Sequence, residues 1–330
     1  MEPLTVILPV HNGGNYLGEA ISSVLVQDHE AFVLRVLDDD SEDDSAEIVR
    51  SFRDKRVMYS KNKVRSGLFR TLNRGFEEAT TRWVKIWAHD DRMVPGALGR
   101  FACYASEFPE AGMIYSDFLE MDAHGRRTGD EQVHRPQRVR TPDIAPPRIS
   151  ALLFLSFGCL PGNISTVMLR RDVWGELRGF LEVFQQAPDY DMWVRVSEVY
   201  PVAFIREPQI ELRSHELQLG RLGQKNMASI AEEHQVLIQL IKRLEGIASP
   251  NEINGFWRTH RGAQHMHWIV KALIRGDMPA AKAGWESLKL YGPRYAQFIA
   301  WLFTANGHVF AGSRAKFFDK GLLALRKLEV

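Results

Sequence analysis

Two hydrophobic periods alternate along the first 117 residues. Leu4-Thr5-Val6-Ile7-Leu8 is nearly continuous in apolar character and predicts a buried strand. Leu17, Ala20, Ile21, Val24 and Leu25 then recur at helical spacing. Phe32 to Leu37 predicts a second buried strand, and Ser41 to Phe52 a helix with acids in its first turn, where the helix dipole favours them. A short strand at Val57-Met58-Tyr59 follows, then a helix whose apolar face is Leu68, Leu72, Phe76 and Ala79. Trp83 to Trp87 is a fourth strand, Pro95 opens another helix, and Met113-Ile114-Tyr115 returns to strand. Alternating strands and helices imply an α/β fold, a mostly parallel sheet covered by helices on both faces. Ligands of such sheets sit beyond the carboxyl ends of the strands.

The pattern then loosens. Arg126 to Arg148 is rich in Arg and Pro and reads as a loop. A helix near Ser150 to Phe157, a strand at Ser165 to Leu169, a helix at Asp189 to Val199, and strands at Val202 to Ile205 and Ile210 to Arg213 follow. From about Leu217 the periodicity is helical, with Val236, Leu237, Leu240, Ile241 and Leu244 in one stripe. Three regions are therefore expected: 1–117 and 118–220 as two halves of one sheet domain, and 221–330 as a C-terminal helical region.

Composition narrows the classes. The chain has 330 residues and a net charge of +1, so no global basic field points to nucleic acid. Two cysteines, Cys103 and Cys159, make no disulfide framework; they fit a reducing cytoplasm and are expected as small buried hydrophobes. The N-terminus lacks a basic, cleavable leader. Ala151 to Leu160 is too short to span a bilayer, and Gln297, Asn306 and His308 interrupt Tyr295 to Phe310, so no membrane-spanning helix is expected. Trp257, Trp268, Trp285 and Trp301 read as core residues of a helical bundle or a contact between copies in a homo-oligomer. The same region mixes Phe, Trp and Leu with Arg294, Arg314, Lys316, Lys320, Arg326 and Lys327, a combination that can lie on the inner face of a membrane as a peripheral contact.

Two apolar strands end in acid clusters, Asp38-Asp39-Asp40-Ser41 and Ala88-His89-Asp90-Asp91. Either alone is also what a turn or a helix cap looks like. Together on one sheet edge they would repel unless a cation joined them, and a divalent ion bridging a diphosphate does so. The first strand runs into Pro9-Val10-His11-Asn12-Gly13-Gly14, which is neither a Walker loop nor a dinucleotide fingerprint.

The order of these segments resembles family 2 glycosyltransferases with the type A glycosyltransferase fold, whose sheet binds nucleotide-diphospho-sugars. The resemblance rests on Thr5 to Leu17, Val24-Leu25-Val26-Gln27, Asp38 to Asp43, Gly67 to Asn73 with Gly75, Ala88 to Asp91, Pro188 to Arg195, and Leu212-Arg213-Ser214-His215. It covers about residues 4 to 220. It implies an inverting sugar transfer from a nucleotide-sugar donor, UDP-type favoured, to a saccharide or lipid-linked saccharide acceptor, in polysaccharide or glycoconjugate synthesis. By the same resemblance, Pro9, His11 and Asn12 would line the nucleoside pocket and Asp39 would bond the base. Arg65 and Arg70 would flank the base or phosphates, and Asp90 would contact ribose or sugar. Asp91 would coordinate Mn2+ or Mg2+, His215 would face the metal or diphosphate, and Asp189 would be the general base.

Two departures stand out: Asp40 where the family often has Gly, and Pro188 where it usually has Glu before the base. They support the rival reading of a non-catalytic nucleotide-sugar-binding protein. A haloacid-dehalogenase-type phosphatase would need an Asp after the first strand, where this chain has His11-Asn12, and a nicotinamide dehydrogenase would need the missing glycine fingerprint.

Overall fold

Every residue of strand β1 (Leu4–Val10) is buried, because it lies inside the sheet with helices on both faces. The computed structural model describes residues 2–128, 141–215, 228–243, 249–256, 261–304 and 316–324. Within them β2 (Phe32–Asp38), β3 (Val57–Lys61), β4 (Trp83–Ile86), β5 (Arg92–Met93), β6 (Met113–Met121), β7 (Ile144–Ala145), β8 (Val167–Arg170) and β9 (Val202–Arg213) join β1 in one nine-stranded sheet. Its order is β3-β2-β1-β4-β8-β6-β9-β5, with β7 on β9.

The half built from the first 86 residues is all parallel: β1 pairs β2 and β4, and β2 pairs β3. Beyond β4 the sheet is mixed. β8 runs antiparallel to β4 and β6, β6 is parallel to β9, and β5 and β7 run antiparallel to β9. β2 and β4 therefore end at the same edge, which brings both acid clusters there.

Helices cover the sheet or extend beyond it among the described residues. They are α1 (Leu17–Leu25), α2 (Ser45–Ser51), α3 (Leu68–Glu78), α4 (Ala97–Glu107), α5 (Pro147–Phe157), α6 (Arg171–Glu176), α7 (Pro188–Val199), α8 (Ala228–Arg243), α9 (Pro250–Phe256), α10 (Ala263–Ile274), α11 (Met278–Ser287) and α12 (Arg294–Thr304). The two-residue period of the strands divides the core. Leu4, Val6, Leu8 and Val10 face α1 and α4, whereas Ile7 and Ile86 face α3 and the cluster that includes α5, α7 and α8. Helix α3 comes close to the sheet at Gly75, where an added Cβ would lie 2.6 Å from Leu37 and 2.7 Å from Ile7.

Several expectations are corrected. The strands expected at 202–205 and 210–213 are one strand, β9, whose register shifts opposite Asp117. Pro208 lies at that irregularity, as expected of a residue without an N–H to give the ladder. Helix α2 starts at Ser45 rather than Ser41. Helix α4 starts at Ala97, behind Gly96 in the left-handed region, so Pro95 precedes the helix and does not open it. Cys103 is exposed and Cys159 half-buried, so neither is a core hydrophobe. Trp268 and Trp285 are 37% and 43% exposed and do not belong to the core. Leu217, Leu244, Trp257, Arg314, Arg326, Lys327 and residues 129–140 of the expected loop lie outside the described residues. No helix among the described residues is long and apolar enough to cross a membrane.

Overpacking a filled core typically costs about 1–3 kcal/mol. Gly75→Ala is accordingly expected to lower unfolding free energy by about that much in urea titration, and an unchanged midpoint would show that α3 can shift outward freely.

Candidate active site

Three loops meet at the carboxyl edge of β1, β2 and β4. The loop after β1 is latched to the loop after β2 by short polar contacts. The N–H groups of Asn12 and Gly13 donate to the hydroxyls of Ser41 and Ser45, each at 3.0 Å, and Gly14 N–H donates to Asp43 at 2.8 Å. Asn12 Oδ1 accepts from Glu42 N–H at 2.9 Å, and its φ is +54°. His11 Nδ1 lies 2.9 Å from the Asp39 carbonyl. Pro9 is buried within β1. Asp40 has φ +64°, so the position where glycine was expected does need a left-handed backbone, which Asp tolerates better than most residues.

Asp39 accepts at 2.7 Å from Asn62 Nδ2 and from the N–H groups of Ser66 and Gly67. Burial raises its acid, but these bonds outweigh it and hold the carboxyl below its usual range. Asp39 thus fixes the turn into α3. Arg65 is exposed on the same loop. Arg70 is drawn away into an ion pair with Glu182.

The second acid cluster separates into two unlike carboxylates. Asp91 is buried and committed to the protein: Oδ1 accepts from Arg213 N–H at 2.9 Å and Oδ2 from the Ser165 hydroxyl at 2.6 Å. Burial, and then the Asp90 charge, push its acid up to about 8 against the pull of those bonds and of Lys85. Asp90 points elsewhere. His215 Nε2 lies 2.9 Å from Asp90 Oδ2, and the His215 ring packs on Tyr16 at 5.1 Å. Burial raises the Asp90 acid too, but His215 and the nearby His89 outweigh it, so this carboxyl stays below its usual range. Burial lowers His89, whose ring abuts Gly13, where a Cβ would lie 2.9 Å from it.

Asp90 and His215 are adjacent oxygen and nitrogen donors that meet each other at 2.9 Å, whereas both oxygens of Asp91, the expected metal ligand, accept hydrogen bonds from Ser165 and Arg213. The two environments push the pair's acidities apart. Among the described residues no three His, Cys, Asp or Glu side chains converge. A two-donor site still suits Mg2+ or Mn2+, which is commonly held by one or two side chains with the remaining positions taken by phosphate oxygens.

Supporting residues escaped the sequence reading because they come from distant segments. Ser165 also accepts Ala88 N–H at 3.0 Å, and its carbonyl takes a hydrogen bond from the buried Lys85 Nζ. Burial lowers Lys85 well below a normal lysine. Arg213 donates to the Asp90 carbonyl at 2.8 Å, pairs with Glu19, and lies over the Tyr16 ring at 4.6 Å.

On the other side of the cleft, Asp189 is half-buried in the first turn of α7 and accepts from Tyr190 N–H at 2.8 Å. Burial pushes its acid up to about 6 despite that bond. Cys159 is near enough for the Asp189 charge to add to the effect of burial, which together hold its thiol neutral. Asp191, the other acid of this turn, is ion-paired with Arg195 at 2.7 Å. The carboxylate missing at Pro188 has a counterpart: Glu232 of α8 accepts the consecutive N–H groups of Gln185, Gln186 and Ala187 at 3.0, 2.7 and 2.9 Å. It holds the chain just before Asp189.

Residues 5–154 match the sequence model of glycosyl transferase family 2. That match covers 150 of the chain's 330 residues. An uncharacterized glycosyltransferase of Rickettsia conorii is 27% identical over 240 residues, which is 71% of this chain and 37% of the relative. The chain thus spans little more than a third of that relative's length. S. aureus TarS, solved with UDP-GlcNAc, superposes with a TM-score of 0.58 at 15% identity over 97% of this chain and 89% of its own. The mannosyltransferase PcManGT of Pyrobaculum calidifontis, solved with GDP-Man and Mn2+, gives 0.56 at 15% identity over 98% and 86%. At that identity these two structures speak for the fold, a type A glycosyltransferase sheet.

Loss of a buried acceptor leaves its donors unsatisfied at about 1–3 kcal/mol. Asp91→Ala is expected to destabilise the chain by that amount in urea unfolding, orphaning Ser165 and the Arg213 N–H. A variant as stable as the wild type would remove Asp91 from this bracing role.

Proposed function

We propose that the chain transfers a sugar from a nucleotide-diphosphate donor, UDP-type favoured, to a hydroxyl of a saccharide or lipid-linked acceptor, inverting the anomeric centre, in polysaccharide or glycoconjugate synthesis. The observation that carries this reading is the presence of two unlike acid centres. Asp90, a carboxyl held below its usual range, meets His215 as a metal-competent pair, and Asp189 is a separate carboxyl whose acid burial pushes up to about 6. The match of residues 5–154 to the family model and the nucleotide sugars bound by the structural neighbours support it.

Pro9, His11, Asn12 and Asp39 would hold the nucleoside, with Arg65 at the rim, while Arg70 braces the Glu182 loop. Asp90 and His215 would hold Mn2+ or Mg2+, which when bound stabilises charge on the departing diphosphate. Asp91 keeps that pair in place through its buried bonds. Asp189 takes the proton from the acceptor hydroxyl as that oxygen bonds to the anomeric carbon and the bond to the diphosphate oxygen breaks. An acid raised to about 6 is largely ionised at pH 7 and still basic enough to accept a proton, which is the compromise general-base catalysis favours.

The test is Asp189→Asn assayed with a panel of nucleotide sugars and Mn2+. Turnover is expected to fall by about 10²–10⁴-fold with donor affinity, read by calorimetry, unchanged. Transfer at the wild-type rate would remove Asp189 as base, and a wild-type chain that binds donor without transferring or hydrolysing it would favour the non-catalytic reading. For the wild type, kcat is expected to be constant above the Asp189 acidity of about 6 and to drop about tenfold for each unit of pH below it, because only the ionised carboxylate accepts the proton. A profile flat through this range would place the base elsewhere.

A further inference from the structure

Seventeen large hydrophobic side chains are exposed among the described residues, and ten of them fall between Trp268 and Leu302. Single exposed apolar residues are ordinary, but clusters of them mark interaction surfaces. This cluster belongs to one three-helix unit, since α10 packs against both α11 and α12.

Helix α12 is inverted relative to water. Tyr295, Phe298, Ile299 and Leu302 follow the i, i+3, i+4, i+7 spacing of one helix face and are 72%, 44%, 50% and 55% exposed. Its amide, Gln297, is fully buried, with Nε2 donating to the Tyr291 carbonyl at 2.6 Å and Oε1 pressed against Gly262. A helix that met only solvent would place these residues the other way round. The turn between α10 and α11 adds Leu273, Ile274 and Met278 at 48%, 80% and 62%. Trp268 and Trp285 are exposed as well, and aromatic rings of this kind favour the boundary between water and hydrocarbon.

The charge of this segment is basic in excess. Between residues 268 and 304 there are five basic side chains, Lys271, Arg275, Lys282, Lys289 and Arg294, against Asp277 and Glu286. Glu286 is already paired with Arg294 at 3.1 Å. We propose that the face formed by α10, α11 and α12 docks on an anionic lipid surface, its apolar stripe entering the headgroup boundary and its lysines and arginines meeting lipid phosphates. A second copy of the chain is the less suitable occupant, because a two-fold contact would set this basic excess against itself.

Flotation with vesicles of equimolar phosphatidylcholine and phosphatidylglycerol tests this, with pure phosphatidylcholine vesicles as comparison. The wild-type chain is expected to bind the anionic vesicles at least about tenfold more tightly, and added salt is expected to weaken that binding. The combined variant Phe298→Ser, Ile299→Ser, Leu302→Ser is expected to lose at least about tenfold in vesicle affinity. Its thermal midpoint is expected to match the wild type, because the altered side chains are exposed. Failure of the wild type to bind anionic vesicles, or equal binding by the variant, overturns the proposal. So does a sedimentation result in which the wild type forms dimers that the variant lacks while vesicles stay unbound, which would assign the face to a second copy.

Discussion

The buried carboxylate of Asp91 is the constraint on which the carboxyl edge of the sheet depends. It joins three parts of the chain that are far apart in sequence: the turn after β4, Ser165 ahead of β8, and Arg213 at the end of β9. An acid taken out of water must find donors or a proton. Asp91 has two donors, and burial with the adjacent Asp90 charge makes it a weaker acid. The consequence falls on its neighbour. With Asp91 turned into the protein, Asp90 meets His215 instead.

A second brace acts just ahead of α7. Helix α8, from the helical region beyond the part of the chain that carries the family's motifs, contributes Glu232 to three successive backbone N–H groups just ahead of α7. Asp189 sits in the first turn of that helix. The C-terminal region therefore takes part in shaping the cleft as well as presenting an apolar, basic face of its own. The substitution of proline at position 188 removes a local carboxylate, and a carboxylate from elsewhere in the fold stands at the same turn.

Much of the architecture is legible in the sequence. The continuous apolar run of β1 and the helical spacing of Leu17 to Leu25 carry fold class, because a strand covered on both faces has no polar side to show. The segment order Pro9 to Gly14, Asp38 to Ser41, Ala88 to Asp91 and Pro188 to Arg195 carries family. Asp40 is instructive: its φ of +64° shows that the turn demands what glycine would supply, and Asp meets the demand. The errors have physical sources. Two strands were expected where β9 is one, since Pro208 breaks a local pattern but can be absorbed by an irregularity in register. The tryptophans at 268 and 285 read as core because hydrophobicity shows what a residue avoids, not which neighbour shields it.

The sequence by itself determined the alternating α/β sheet, the edge where the acids gather, and the identity of the carboxylates that could act there. Those properties follow from local periodicity and from strand direction. Only the tertiary structure decided the surroundings of each carboxylate. Asp90 and Asp91 are adjacent and chemically identical, and they differ solely because one meets Ser165 and Arg213 and the other His215. Acidity and ligand capacity depend on burial and on hydrogen-bond donors brought from 70 to 125 residues away, which no local pattern encodes.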